Sequence, residues 1–189
     1  SMPARWCCRI SQGQEVRVII VNDAAYVTGG AGNVALTEAI LLAQQNVDVL
    51  LFSGFGPVDD RLIKSGVKVV VCDSKDILTN KNRIEAFCQG LWNRKAKRRF
   101  EEVLSNYSVE DTVVHYHAWT KALSASVLSV TQKYGYKIVI TTHDYFSFCP
   151  NGGLYNYVKG VICDKSPMSL DCIFCNCDSR NILQKYGSL

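Results

Sequence analysis

Gly30-Ala31-Gly32-Asn33-Val34-Ala35 has the spacing G-x-G-x-x-A, with Gly29 directly ahead of it. Glycines so placed let a backbone turn tightly and approach a ligand, and a helix beginning near Asn33 aims free N–H groups at an anion. The chemistry this suits is phosphate or diphosphate binding; a plain strand-to-helix turn is the other reading. All three histidines of the chain lie further on, at 115, 117 and 143. On a strand, His115 and His117 share a face and Tyr116 takes the other. His117 is the better candidate for reaching a ligand crevice, and His115 for a hydrogen-bonded place in the core. His143-Asp144-Tyr145 sets an imidazole, a carboxylate and an aromatic ring side by side. That set suits a saccharide, whose hydroxyls donate to carboxylates and whose C–H groups meet ring faces, although Asp144 could equally cap a turn.

Sulfur is concentrated near the C-terminal end, as Cys163-x8-Cys172-x2-Cys175-x-Cys177 with Cys149 upstream. Four thiolates would complete a tetrahedral zinc site and order a loop of little regular structure. Disulfides formed on purification, or free buried thiols, are the alternatives. One more cluster is basic: Arg94, Lys95, Lys97, Arg98 and Arg99 lie beside Trp92 and Phe100 on a predicted helix. Cations flanked by aromatics suit an anionic membrane surface, and a solvated helix face is the plainer reading.

Elements must position these groups. Five apolar, β-branched runs, at 16–22, 47–53, 67–73, 112–118 and 137–143, alternate with helix-like segments at about 33–46, 59–65, 80–105 and 119–134. Near-continuous apolar runs suit strands covered on both faces. The alternation predicts an α/β fold, a Rossmann-like parallel sheet with helices on both faces and right-handed crossovers. In such sheets ligands bind beyond the carboxyl ends of the strands, where the glycine turn and the histidines fall. From Asp144 to Asp178 the rhythm fails, and a last helix is predicted over about 178–187. The predicted domain therefore spans 16–189 with a cysteine-rich insert at 145–177, after an N-terminal extension or tag remnant at 1–15.

A dinucleotide site needs more than its turn. It expects an acidic residue about 20 residues on, at the end of the second strand, to hold the ribose. Ser53 and Gly54 stand there, and Asp48 comes too early. An NAD-binding oxidoreductase is accordingly the third-ranked reading.

The chain has 189 residues, 48% of them hydrophobic, which supports a sizeable core. A net charge of +4 with no arginine- and aromatic-rich RNA motif gives no reason to expect a nucleic-acid partner. No apolar run approaches the roughly 20 residues of a membrane span, and nothing ahead of Val16 resembles a secretory signal. Nine cysteines without such a signal read as thiols or metal ligands in a reducing compartment. The expected location is cytoplasmic, with the basic helix as a peripheral contact to the inner face of the membrane.

The ordered set "GGAGNVALTEAILLAQQNVDVLLFSG", "VVHYHAW" and "TTHDYFSFCPNGG" with its trailing cysteines resembles the N-terminal domain of family 4 glycosyltransferases of the GT-B fold. Within that family it is similar to bacterial polysaccharide-building enzymes with a cysteine-bearing insert. The resemblance covers nearly the whole chain from Val16. It implies retaining transfer of a sugar from a nucleotide-diphosphate sugar to a glycan or lipid-linked acceptor, with no cofactor needed for catalysis. It also implies that Gly29 and Gly30 approach the donor's diphosphate and that His117 lies by the transferred sugar. The family's donor domain, with its E-x7-E glutamates, is not among these residues, so the resemblance implies half of an enzyme, with little or no activity alone. A metal-stabilised glycan-binding module without catalysis is the second reading.

Overall fold

The computed structural model describes residues 16–74, 89–90, 92–145 and 149–178. The chain divides into two compact units between Thr141 and Thr142. In the first, each of the five apolar runs becomes a strand: β1 (Arg17–Ala24), β2 (Asp48–Phe55), β3 (Lys68–Val71), β4 (Thr112–Tyr116) and β5 (Lys137–Ile140). They form one sheet in the order β3-β2-β1-β4-β5, parallel at every pairing. The α/β parallel sheet with helices on both faces is therefore the fold of this unit.

β1 lies at the centre, and its last six residues are all buried. Successive side chains point to opposite faces, so Ile19 and Val21 enter one core and Ile20 the other. The Ile20 face is covered by α1 (Gly30–Gln44) and α2 (Asp60–Lys64), through Ala35, Leu36, Ala39 and Leu62. The opposite face is covered by α3 (Arg94–Leu104) and α4 (Ala125–Tyr134), with the Phe100 ring 4.6 Å from that of Phe52. Burying one phenylalanine side chain contributes about 1.5–3 kcal/mol.

Two helices are shorter than their sequence segments. Asn93 caps α3 by accepting from the Ala96 N–H at 3.0 Å, so that helix starts at Arg94. The helical reading of residues 80–88 and 91 lies outside the described residues. α4 starts at Ala125 rather than near Trp119, because the intervening chain forms a loop tied to other groups. It ends at Gly135, whose φ of 77° is the left-handed conformation common just past helix ends.

Strand order reverses direction between β1 and β4: from β1 the chain builds outward to β2 and β3, then returns to lay β4 and β5 on the other side. That switch point, at the carboxyl ends, is where open α/β sheets form a crevice.

In the second unit, β6 (Tyr155–Asn156) and β7 (Val161–Ile162) make a short antiparallel hairpin, and α5 (Leu170–Phe174) is capped by Ser169. The cysteine-rich stretch thus holds small elements that its irregular pattern hides. The predicted extension at 1–15 and all but the first residue of the predicted helix at 178–187 lie outside the described residues. Among the described residues no helix is long and apolar enough to cross a membrane.

Candidate functional site

At the switch point β1 runs out through Asn22, Asp23 and Ala24 into the turn that opens α1. Gly29 caps α1 in an extended conformation, no side chain caps the end, and the first turn carries no acid. The first intrahelical bond is Asn33 N–H to Gly29 O, at 3.0 Å. A β-carbon added at Gly29 or Gly30 would meet nothing within 4 Å, whereas one at buried Gly32 would come within 3.3 Å of Thr28 Oγ1. Packing within the chain therefore asks for a small residue at 32, and the space above 29 and 30 is open. The uncapped end carries the helix's partial positive charge, the environment an anion prefers.

The alternation along β4 puts Tyr116 into one core and both flanking histidines on the α1 face, as their spacing predicts. What meets them there is Glu38, the one charged residue of α1. Glu38 Oε1 is 2.6 Å from His115 Nδ1, and Oε2 is 3.1 Å from His117 Nε2. The two imidazole centroids are 4.3 Å apart. His115 Nε2 is also 2.8 Å from Thr141 Oγ1, the first residue past β5. His115 has the hydrogen-bonded place expected of it. His117, expected to reach the crevice, is the more buried of the two: its side chain is 0% exposed against 13% for His115.

Asp23, on the opposite face, accepts backbone N–H bonds from Lys121, Ala122 and Leu123 at 2.8–3.2 Å. Burial raises its carboxyl above the ordinary value, and those three donors work against the rise. This is what holds 119–124 as a loop. Asn93 donates to the Ala122 carbonyl from below, and Ser124 accepts from the Asn93 N–H. Gly54 completes the packing: a β-carbon there would lie 2.5 Å from Ala122 Cβ and 2.9 Å from Asp23 O. The end of β2 thus has no room for the ribose-binding acid of a dinucleotide site. Asp59, the next acid on, caps α2 and pairs with Arg61.

His143, Asp144 and Tyr145 belong to the second unit and are exposed. β5 closes at Ile140, three residues before His143. In that unit Cys149, Cys172 and Cys177 are buried and Cys163 and Cys175 partly so. Asn151 links two of them: its Oδ1 is 3.0 Å from Cys149 Sγ, and its Nδ2 donates to Cys177 Sγ at 3.3 Å. Among the described residues no three of the sulfurs gather closely enough to share an ion. Among the described residues only Glu38, His115 and His117 do so.

On α3, Arg94, Lys95, Arg98 and Arg99 are exposed, with Arg99 paired to Glu102 and Lys95 donating to the Asp73 carbonyl. Lys97 sits over the half-exposed Trp92 ring. Phe100, read in sequence as a flanking surface aromatic, is instead fully buried, because it falls on the core side of the helix.

No family model matches this chain, and no curated protein does. The site residues that sequence reading passes over are Glu38, Asn22, Asp23 and Thr141. A lone charge within the apolar stretch Val34–Ile40 is the signal that points to Glu38.

Proposed function

We propose that this chain is the acceptor-side, Rossmann-like domain of a retaining glycosyltransferase of polysaccharide biosynthesis. In this reading the enzyme transfers a sugar from a nucleotide-diphosphate sugar to a glycan or lipid-linked acceptor. The observation that carries the reading is the uncapped, acid-free N-terminus of α1, with open space over Gly29 and Gly30, at the switch point of a parallel sheet. Diphosphate oxygens would accept from the N–H groups of Gly30, Ala31 and Gly32. An anion at such an end gains about 0.3–1 kcal/mol, up to roughly 2 when partly buried.

His117 is the group assigned to the transferred sugar. Its Nε2 lies 3.1 Å from Glu38 Oε2, and because the ring is buried, contact with a sugar requires the groups above it to shift on binding. His143, Asp144 and Tyr145 are assigned to sugar hydroxyls and C–H faces. The basic face of α3 is assigned to peripheral contact with an anionic membrane. The sulfur-rich unit retains a structural zinc as its proposed staple, through Cys163, Cys172, Cys175 and Cys177 with Cys149 in reserve, and the sulfurs would have to close in around the ion.

Isothermal titration calorimetry with matched ligands tests the reading. A nucleotide-diphosphate sugar, or a lipid-linked sugar diphosphate analogue, is expected to bind at least tenfold tighter than the same sugar without its diphosphate. Equal binding of diphosphate-free glycans would favour a non-catalytic glycan-binding module. Absence of binding by every diphosphate ligand at millimolar concentration would contradict the assignment.

A further inference from the structure

Two elements deliver three ligand atoms to one place. β4 supplies His115 and His117 from one face, and the third turn of α1 supplies Glu38; their ligand atoms all lie within 4.8 Å of one another. The carboxylate is divided between the rings, Oε1 toward His115 Nδ1 and Oε2 toward His117 Nε2. In tetrahedral zinc sites, bonds of about 2.0–2.2 Å set neighbouring donor atoms roughly 3.3 Å apart. The observed 2.6 and 3.1 Å therefore need only a small outward adjustment to admit an ion. The other nitrogen of His115 is held by Thr141 Oγ1 at 2.8 Å, the kind of outer contact that fixes the tautomer of a metal-binding imidazole.

A second observation points the same way. Asn22 is 2% exposed, and its Oδ1 accepts no hydrogen bond among the described residues, although its Nδ2 donates to the Ala24 carbonyl. β1 and β4 pair Val21 with Tyr116, and the next step along that register sets Asn22 beside His117 on the same face. A buried carbonyl oxygen with its demand unmet carries the full cost of its lost hydration. A cation, or the water a cation carries, would meet that demand.

We propose that Glu38, His115 and His117 bind one divalent transition-metal ion, with zinc as the preferred occupant. Two imidazoles and a carboxylate suit zinc and its borderline neighbours rather than magnesium or calcium. The ion is held by Nδ1 of His115, Nε2 of His117 and the Glu38 carboxylate, and Asn22 Oδ1 stands by for the fourth position or its water. Such an ion pins α1 to β4 directly below the glycine turn. It also turns the net charge there from the −1 of the carboxylate alone to +1, two positive charges richer. The site shares His117 and Glu38 with the transferase reading but rests only on the geometry of these side chains, so cobalt binding and sugar-diphosphate binding test the two separately.

Cobalt(II) titration of the chelator-stripped full chain, under reducing conditions, tests it. The expected result is one equivalent bound with the visible bands of a tetrahedral nitrogen-and-oxygen site, displaced by zinc and lost in Glu38→Gln. It is separate from any thiolate-bound cobalt that the cysteines of the second unit take, which sulfur-to-cobalt charge transfer identifies. Glu38→Gln and His115→Asn are each expected to weaken binding at least tenfold, and Thr141→Val by about 10–100-fold. Circular dichroism of the metal-free variants checks that they fold. Should the ligand variants not fold, the wild-type cobalt spectrum decides alone. A spectrum of thiolate character only, no cobalt bound at millimolar concentration, or unchanged affinity in folded Glu38→Gln would overturn the proposal.

Discussion

Asp48 shows how single charges are used away from the site. Burial works to raise its carboxyl, but hydrogen bonds from Arg17 at 2.6 Å and Lys68 at 2.9 Å, with their charges, outweigh it and hold the group below its ordinary value. A carboxyl lowered in the folded state adds stability above its unfolded value near 3.8 and loses it as pH falls through the folded value. Asp48→Asn is thus expected to cost about 0.5–1 kcal/mol at pH 7, the range for exposed to half-exposed pairs. The difference from wild type should shrink as pH falls below 3.8 and vanish only below the still lower folded value; urea titrations at pH 7 and well below pH 3.8 measure it. Gly54 is a steric counterpart. Gly54→Ala drives a methyl into Ala122 Cβ and the Asp23 carbonyl, and is expected to cost about 1–3 kcal/mol as an overpacked site does. A urea midpoint within error of wild type would show that the loop after β4 yields more easily than its hydrogen bonds imply.

At the level of elements, α3 is divided between duties. Its charged side faces solvent, while Ala96, Phe100, Val103 and Leu104 enter the core. Phe100→Ala is expected to cost about 3–5 kcal/mol in urea unfolding, the range for a large buried ring removed against a close partner. An aromatic serving only a membrane face would cost far less, so the value separates the two uses. Periodicity places Phe100 correctly once the helix start is known, and the capping role of Asn93 supplies that start. The same lesson holds for α4. The stretch after β4 reads as helical from Trp119, but the Asp23 carboxylate takes its N–H groups 98 to 100 residues away in sequence. Local pattern carries no trace of such a bond. Strands were legible because their apolar runs are local; the loop was not because its restraint is distant.

Across the whole molecule, the parallel sheet and its helices follow from alternation alone, and so does the shared face of His115 and His117. The partner of those histidines does not, since Glu38 is 77 residues from His115 and only the fold brings them together. The failing rhythm from Asp144 marks a change close to the division after Thr141, but not that the residues beyond it pack as a unit of their own. The chemistry divides along the same line: the glycine turn, both strand histidines and Glu38 in the first unit, and His143, Asp144, Tyr145 and the cysteine cluster in the second. In the proposed function the first unit receives a diphosphate on the end of α1. Nitrogen–proton correlation NMR of the labelled chain, titrated with a nucleotide-diphosphate sugar, tests it most directly. Saturable shifts are expected, centred on the amides of Gly29, Gly30, Ala31 and Gly32, with smaller ones at His115 and His117. Saturable shifts that leave the glycine turn unmoved would contradict it.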